Sequence, residues 1–145
     1  MKVGDVMTKL PLVVDLDTSV RVAADLMRSK GIRHLPVVDA GAHVLGIVTD
    51  RDLRHAIFLP ALAGHAGLAP HRVKALRVRD VMTWSVVTTH ADTELVQAAL
   101  TMFQRRIGSL PVVADGRLVG ILTEQDVLTG LKGSGIEAEA DFFLW

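Results

Sequence analysis

Residues 32–38 read Ile-Arg-His-Leu-Pro-Val-Val, and residues 107–113 read Ile-Gly-Ser-Leu-Pro-Val-Val. The match extends in both directions. Upstream, Asp5-Val6-Met7-Thr8 returns as Asp80-Val81-Met82-Thr83, Asp17-Thr18 as Asp92-Thr93, and Ala23-Ala24-x-x-Met27 as Ala98-Ala99-x-x-Met102. Downstream, one residue drops out of the second copy, in the turn Asp39-Ala40-Gly41-Ala42-His43. Gly46-Ile47-x-Thr49-x-x-Asp52 then returns as Gly120-Ile121-x-Thr123-x-x-Asp126. A register kept over this length is a duplication, and recognising it decides the fold.

Each copy reads as strand, helix, strand, strand, helix. Val20, Ala23, Ala24 and Met27 fall at i, i+3, i+4 and i+7, one face of a helix, and Leu95, Ala98, Ala99 and Met102 repeat them. Asp17-Thr18 and Asp92-Thr93 stand where helix N-caps are expected. Leu35–Val38 and Val44–Val48 are short β-branched runs around a turn, as are Leu110–Val113 and Leu118–Leu122 around Asp115-Gly116. Pro36 and Pro111 require the start of a strand or a sheet edge. The boundaries are copy one at 1–57, a linker at 58–75, copy two at 76–132 and a tail at 133–145. His55 to Gly64 begins as an apolar extension of the preceding helix that Pro60 disturbs, and Gly64, Gly67 and Pro70 mark a loop.

The 145 residues are 50% apolar, with sixteen basic and sixteen acidic side chains and no net charge. Disorder is excluded by that balance. A nucleic-acid binder would carry a basic excess, and six aromatic residues without tyrosine make poor stacking platforms. No cysteine is present, so disulfides, thiolate zinc sites and cysteine nucleophiles are absent. No apolar run reaches membrane-spanning length and no leader pattern opens the chain, so the expectation is a cytoplasmic protein without a membrane anchor.

The four elements that recur in order resemble the CBS domain family, and the tandem pair resembles a Bateman module. The resemblance covers both copies and omits the linker and the tail. It implies an α/β (α+β) fold in which two β-α-β-β-α repeats pack by pseudo-two-fold symmetry around a central ligand cleft. It further implies a non-catalytic regulatory module that binds AMP, ADP, ATP or a related adenosyl ligand, with no cofactor required. Because the module fills almost the whole chain, it is similar to stand-alone CBS-pair proteins acting on a separate target protein. The alternatives are a structural homodimer with no physiological nucleotide, or a binder of S-adenosylmethionine or NAD.

Thr49-x-x-Asp52 and Thr123-x-x-Asp126 are the sharpest candidates. A carboxylate can accept both ribose hydroxyls, with the threonine hydroxyl adding a polar contact. The same spacing is a helix capping box, and the two roles are compatible. By resemblance, Arg33 and His34 before Pro36, and Gly108 and Ser109 before Pro111, face the ligand of the neighbouring repeat. That groups Arg33, His34 and Leu12 with Thr123 and Asp126, and groups Gly108, Ser109 and Val87 with Thr49 and Asp52. Arg33 then clamps a phosphate or simply ends a helix in solvent. Leu12 and Val87 help form adenine pockets or belong to the core. Arg51 and Arg54 add positive potential or are plain surface charge.

His55, His65 and His71 lack metal-ligand spacing, so no metal is expected. No serine is positioned as a nucleophile, so no catalytic residue is assigned. A homodimer is expected, pairing through helices with Ala23, Ala24, Met27, Ala98, Ala99 and Met102 available for close packing. The apolar end Phe142-Phe143-Leu144-Trp145 is expected to dock on the module or its partner copy.

Overall fold

The computed structural model describes residues 1–62 and 76–133. The loop residues Gly64, His65, Gly67, Pro70 and His71, and the apolar end of the tail, lie outside the described residues. The elements are α1 (Val3–Val6), β1 (Thr8–Lys9), α2 (Val20–Lys30), β2 (His34–Val38), β3 (Val44–Thr49), α3 (Asp50–Leu62), α4 (Val78–Val81), β4 (Thr83–Trp84), α5 (Leu95–Arg105), β5 (Ser109–Ala114), β6 (Arg117–Thr123) and α6 (Glu124–Gly133). Helix α3 continues two residues past Pro60, at the cost of the one bond that proline cannot donate.

Packing cuts the chain at different places from the duplication. One compact unit is Leu12–Val86; the other joins Met1–Pro11 to Val87–Trp145. The opening segment of each copy has been handed to the other copy's unit. In the Leu12–Val86 unit the sheet order is β2-β3-β4, all antiparallel, with Gly46 opposite Trp84 and Ile47 opposite Thr83. In the second unit the order is β1-β6-β5, with Thr8 opposite Ile121 and Lys9 opposite Gly120.

The Asp-Val-Met-Thr motif explains how the handed-over segments are held. It makes a four-residue helix followed by a two-residue strand, a helix that the sequence reading lacked. The aspartate is the N3 residue of that helix. Asp5 Oδ2 accepts from Lys2 N–H at 2.7 Å, and Asp80 Oδ2 from Arg77 N–H at 2.8 Å. Backbone bonds then dock each segment. Val3 N–H donates to Thr93 O and Leu95 N–H to Met1 O in one unit; Val78 N–H donates to Thr18 O and Val20 N–H to Leu76 O in the other. Val3 and Val78 are fully buried in the respective cores.

Helix α2 is capped by Ser19, whose Oγ accepts from Val22 N–H at 3.1 Å, and not by the Asp17-Thr18 pair. Those residues build the preceding turn: Thr18 Oγ1 donates to Asp15 Oδ1, which also accepts from Asp17 N–H. The matching position in copy two is Glu94, which cannot cap in this way and instead binds Lys2 Nζ at 2.6 Å. Each partner stabilises the other's charge, so the Glu94 carboxyl is lowered and the Lys2 ammonium raised from their ordinary values. Helix α2 ends on Gly31 in the left-handed conformation; α5 ends on Arg106 in that conformation, where a side chain is strained.

Val20, Ala23 and Met27 on α2 close over Leu35, Val37 and Val48 of the sheet. Leu95, Ala98, Ala99 and Met102 on α5 close over Leu110, Val112 and Leu122. The helix residues considered for a dimer contact therefore serve their own unit's core, with Ala24 packed against it. Pro36 and Pro111 each sit third in their strand, not first. Both strands lie at a sheet edge, and the Pro36 and Pro111 carbonyls accept from Val14 and Thr89 on the open side. The missing N–H thus costs no ladder bond.

Gly46 and Gly120 mark where the handed-over strands cross closest. A Cβ on Gly46 would overlap the Thr83 carbonyl oxygen and the Met82 side chain. On Gly120 it would meet Met7 Sδ at 2.8 Å and Thr8 O at 2.9 Å. Gly46→Ala therefore lowers unfolding stability by about 2 kcal/mol or more, and Gly120→Ala by less, because the flexible Met7 can give way. Urea denaturation of both variants measures this; an unaffected Gly46→Ala would show that β4 does not pack as described.

Candidate functional site

The end of each central strand and the start of the helix after it form one tight corner. Thr49 closes β3 and Asp52 lies in the first turn of α3. Asp52 Oδ2 accepts from Thr49 N–H at 2.9 Å, and Thr49 Oγ1 accepts from Asp52 N–H at 3.1 Å. In the second unit Asp126 Oδ2 accepts from Thr123 N–H at 2.9 Å, and Thr123 Oγ1 from Asp126 N–H at 3.3 Å. Both Thr-x-x-Asp motifs are thus complete capping boxes, worth about 1 kcal/mol each to their helices.

The cap uses one carboxylate oxygen and leaves Oδ1 of both Asp52 and Asp126 without a hydrogen bond among the described residues. Both aspartates are partly buried, so each has one face in solvent and one held rigid. The first turn is otherwise nearly spent. Asp50 N–H donates to Arg33 O at 3.0 Å, and Glu124 N–H to Gly108 O at 3.1 Å. This leaves the N–H of Arg51, and of Gln125, at a helix start where the macrodipole favours negative charge. An acceptor oxygen beside an unspent N–H suits a ligand bearing both hydroxyls and acceptor atoms.

The link from Arg33 to Asp50 was not legible in the sequence, and it places Arg33 next to the Thr49-Asp52 corner of its own unit. The resemblance grouped Arg33 and His34 with Thr123 and Asp126. Within their own units, the sheets set His34 directly opposite Thr49, and Ser109 directly opposite Thr123. Arg33 and His34 accordingly stand beside Thr49 and Asp52, whereas Gly108 and Ser109 stand beside Thr123 and Asp126. Pro36 and Pro111 follow two residues further along the same strands. Leu12 is exposed and Val87 partly buried, each two residues before the bridge that Val14 or Thr89 makes to the sheet edge. Val87 also packs against the core of its unit.

The corner at Asp52 is the more charged of the two. Arg33, Arg51 and Arg54 are near it in the chain or the sheet, Arg33 and Arg51 exposed, and Arg54 pairs with Asp50 at 3.3 Å. His34 is half-buried, and that burial lowers its pKa from the ordinary value of 6.5, with Arg33 pushing the same way against Asp50 and Asp52. At neutral pH it is an uncharged imidazole. Among the described residues no three His, Asp or Glu side chains converge as metal ligands.

Residues 3–59 and 78–133 each match the family model of the CBS domain. A CBS domain-containing protein of Dictyostelium discoideum is 35% identical over 127 residues, 87% of this chain and 88% of that protein. Enzyme relatives, among them archaeal inosine-5′-monophosphate dehydrogenases and homoserine O-acetyltransferases, are matched over only 22–25% of their length. Among solved structures, an Arabidopsis thaliana CBS-pair protein in complex with AMP is 33% identical, with a TM-score of 0.78 over 92% of this chain and 98% of that one. A CBS domain pair in complex with 5′-methylthioadenosine and S-adenosyl-L-methionine is 30% identical, with a TM-score of 0.76 and the same coverage.

The lowered His34 pKa carries a stability consequence. Between 6.5 and the lower folded value the unfolded chain binds the proton and the folded chain does not. Stability therefore falls as pH drops below about 6.5, and is fully present above it. Urea midpoints at pH 7.5 and 5.5 should differ more in the parent than in His34→Gln; equal differences would show that this imidazole titrates normally.

Proposed function

Since the chain belongs to the CBS domain family, we propose that it senses an adenosine-containing ligand and transmits its occupancy to a target protein without catalysing a reaction. The observation that carries this reading is the half-used carboxylate at each corner. The cap fixes Asp52 and Asp126 in place, and the remaining oxygen is free to accept the ribose hydroxyls in a charge-assisted grip. Thr49 and Thr123 add polar contact, while Leu12 and Val87 offer apolar surface to the base, with the buried Pro36 and Pro111 shaping the strands behind them.

The relatives' ligands support the class. AMP, 5′-methylthioadenosine and S-adenosyl-L-methionine share an adenosine and differ in what the 5′ carbon carries. The match to a small fraction of each enzyme relative supports an accessory, regulatory role over catalysis. A chain without cysteine suits a reducing compartment, and we place it in the cytoplasm. Among the described residues no helix is long and apolar enough to cross a membrane.

The capping boxes themselves favour a second reading, in which Thr49-Asp52 and Thr123-Asp126 only start helices. Thermal shift with AMP, ADP, ATP, S-adenosylmethionine and NAD separates the two. A ligand at a hundred times its Kd adds about 2.7 kcal/mol of stability. Asp52→Asn and Asp126→Asn keep a capping side chain and lose the charge, so they should weaken binding by about 1–3 kcal/mol with little loss of fold. No shift with any of the five, together with earlier melting of both variants, would leave the caps as purely structural.

The same reading includes a homodimer. With the inner helix faces committed to the cores, the contact must use other surface, and Val22, Val96, Leu100 and Phe103 on α2 and α5 are exposed. Sedimentation velocity at micromolar concentration should show a species of twice the chain mass; monomer alone would refute it.

A further inference from the structure

In sequence, the duplication matches α5 to α2 residue for residue. The inner faces agree: Val20, Ala23, Ala24 and Met27 correspond to Leu95, Ala98, Ala99 and Met102. The outer faces do not. Arg21, Asp25 and Arg28 on α2 are exposed, and Asp25 pairs with Arg28. The same positions on α5 hold Val96, Leu100 and Phe103, which are 50%, 38% and 43% exposed. They fall at i, i+4 and i+7, a single line along the helix. No charged side chain interrupts the sequence from Leu95 to Gln104. The shared scaffold does not require this line, since α2 does without it. A contiguous apolar line facing water marks a contact surface.

Two observations name its occupant. The first is where the chain goes next. Gly130, near the end of α6, lies against the start of α5: a Cβ there would meet Leu95 Cδ2 at 2.8 Å. The tail therefore leaves α6 close to the first turn of α5. Helix α5 has eleven residues, a length of about 16 Å. Residues 134–141 can span up to about 26 Å when extended, so Phe142-Phe143-Leu144-Trp145 can reach every part of the line. The second observation is charge. Residues 134–145 carry Glu137, Glu139 and Asp141 and no basic side chain. The far end of α5 carries Arg105 and Arg106, both exposed and neither in an ion pair among the described residues.

We infer that residues 142–145 cover the outer face of α5 in the same chain, with the acids that precede them drawn toward Arg105 and Arg106. Burial of large aromatic side chains supplies the stability of the contact. The exposed arginines steer the acidic stretch, an attraction that salt screens. The contact lies within one unit and does not depend on the ligand reading. Of the exposed apolar residues on the two helices, it leaves Val22 on α2 available to a second copy.

Trp84 and Trp145 are the two tryptophans of the chain, so Trp84→Phe leaves Trp145 as the reporter. In that protein the emission should be blue-shifted, protected from acrylamide, and unchanged on dilution from micromolar to nanomolar concentration. Leu100→Asp with Phe103→Arg, added to it, installs on α5 the pair that α2 already carries on the same scaffold. Acrylamide quenching should then rise roughly threefold as the apolar contact is lost. Arg105→Glu with Arg106→Glu should raise it about twofold, and high salt should act in the same direction. Circular dichroism melts check that the helices persist; if the apolar replacement melts early, the arginine replacement decides. A Trp145 that emits as a solvated tryptophan overturns the inference, as does protection that both α5 replacements leave intact. Protection that is lost on dilution overturns it too, and assigns the face to a second copy.

Discussion

The carbonyl oxygen of Thr83 occupies the space where a side chain at Gly46 would begin, and Thr8 stands in the same relation to Gly120. This close backbone approach lets a two-residue strand close each three-stranded sheet. The rest of each unit follows from it. The strand can be short because its own four-residue helix, started by Asp5 or Asp80, anchors it from behind through a fully buried valine. With the sheet closed, the central strand runs straight to its threonine, and the helix after it starts at a fixed angle. The carboxylate at N3 is then presented by rigid backbone and not by a flexible loop.

One pair of residues thereby caps a helix and, in the proposed reading, also meets the ligand. A capping box needs one threonine oxygen and one aspartate oxygen, and the aspartate has two. The structural demand fixes the carboxylate's position while consuming half of its accepting capacity. In the proposed reading the other half is pre-organised for a ligand, so a ribose bound there would not have to order the side chain first. A glutamate would gain reach and lose this rigidity, and an alanine would lose helix and ligand together.

Much of this was readable in the sequence. The recurrence of Leu-Pro-Val-Val and Gly-Ile-x-Thr-x-x-Asp marked the strands and the starts of α3 and α6, and spacing alone specified the Thr-x-x-Asp caps at those two starts. Three things were not readable. The exchange of the opening segments is a long-range choice, and neither periodicity nor turn residues encode which copy a strand will join. Ser19 capped α2 in place of Asp17-Thr18 because Asp15 draws those two into its own turn. The neighbours of Arg33 depended on a backbone bond to Asp50, which no side-chain pattern records. In each case main-chain atoms were among the deciding contacts, and the sequence leaves their partners unnamed.

The exchange of opening segments also sets an order in time. The Leu12–Val86 unit is continuous in the chain, so all of its strands exist once residue 86 has been synthesised. Residues 1–11 are made before that unit, yet their partners begin at Val87, and the strand that pairs with Thr8 comes only at Ile121. On the ribosome residues 1–11 therefore wait, Val3 among them with its apolar side chain uncovered, until the strand around Ile121 has followed. The segment made earlier is the one that finds its place later.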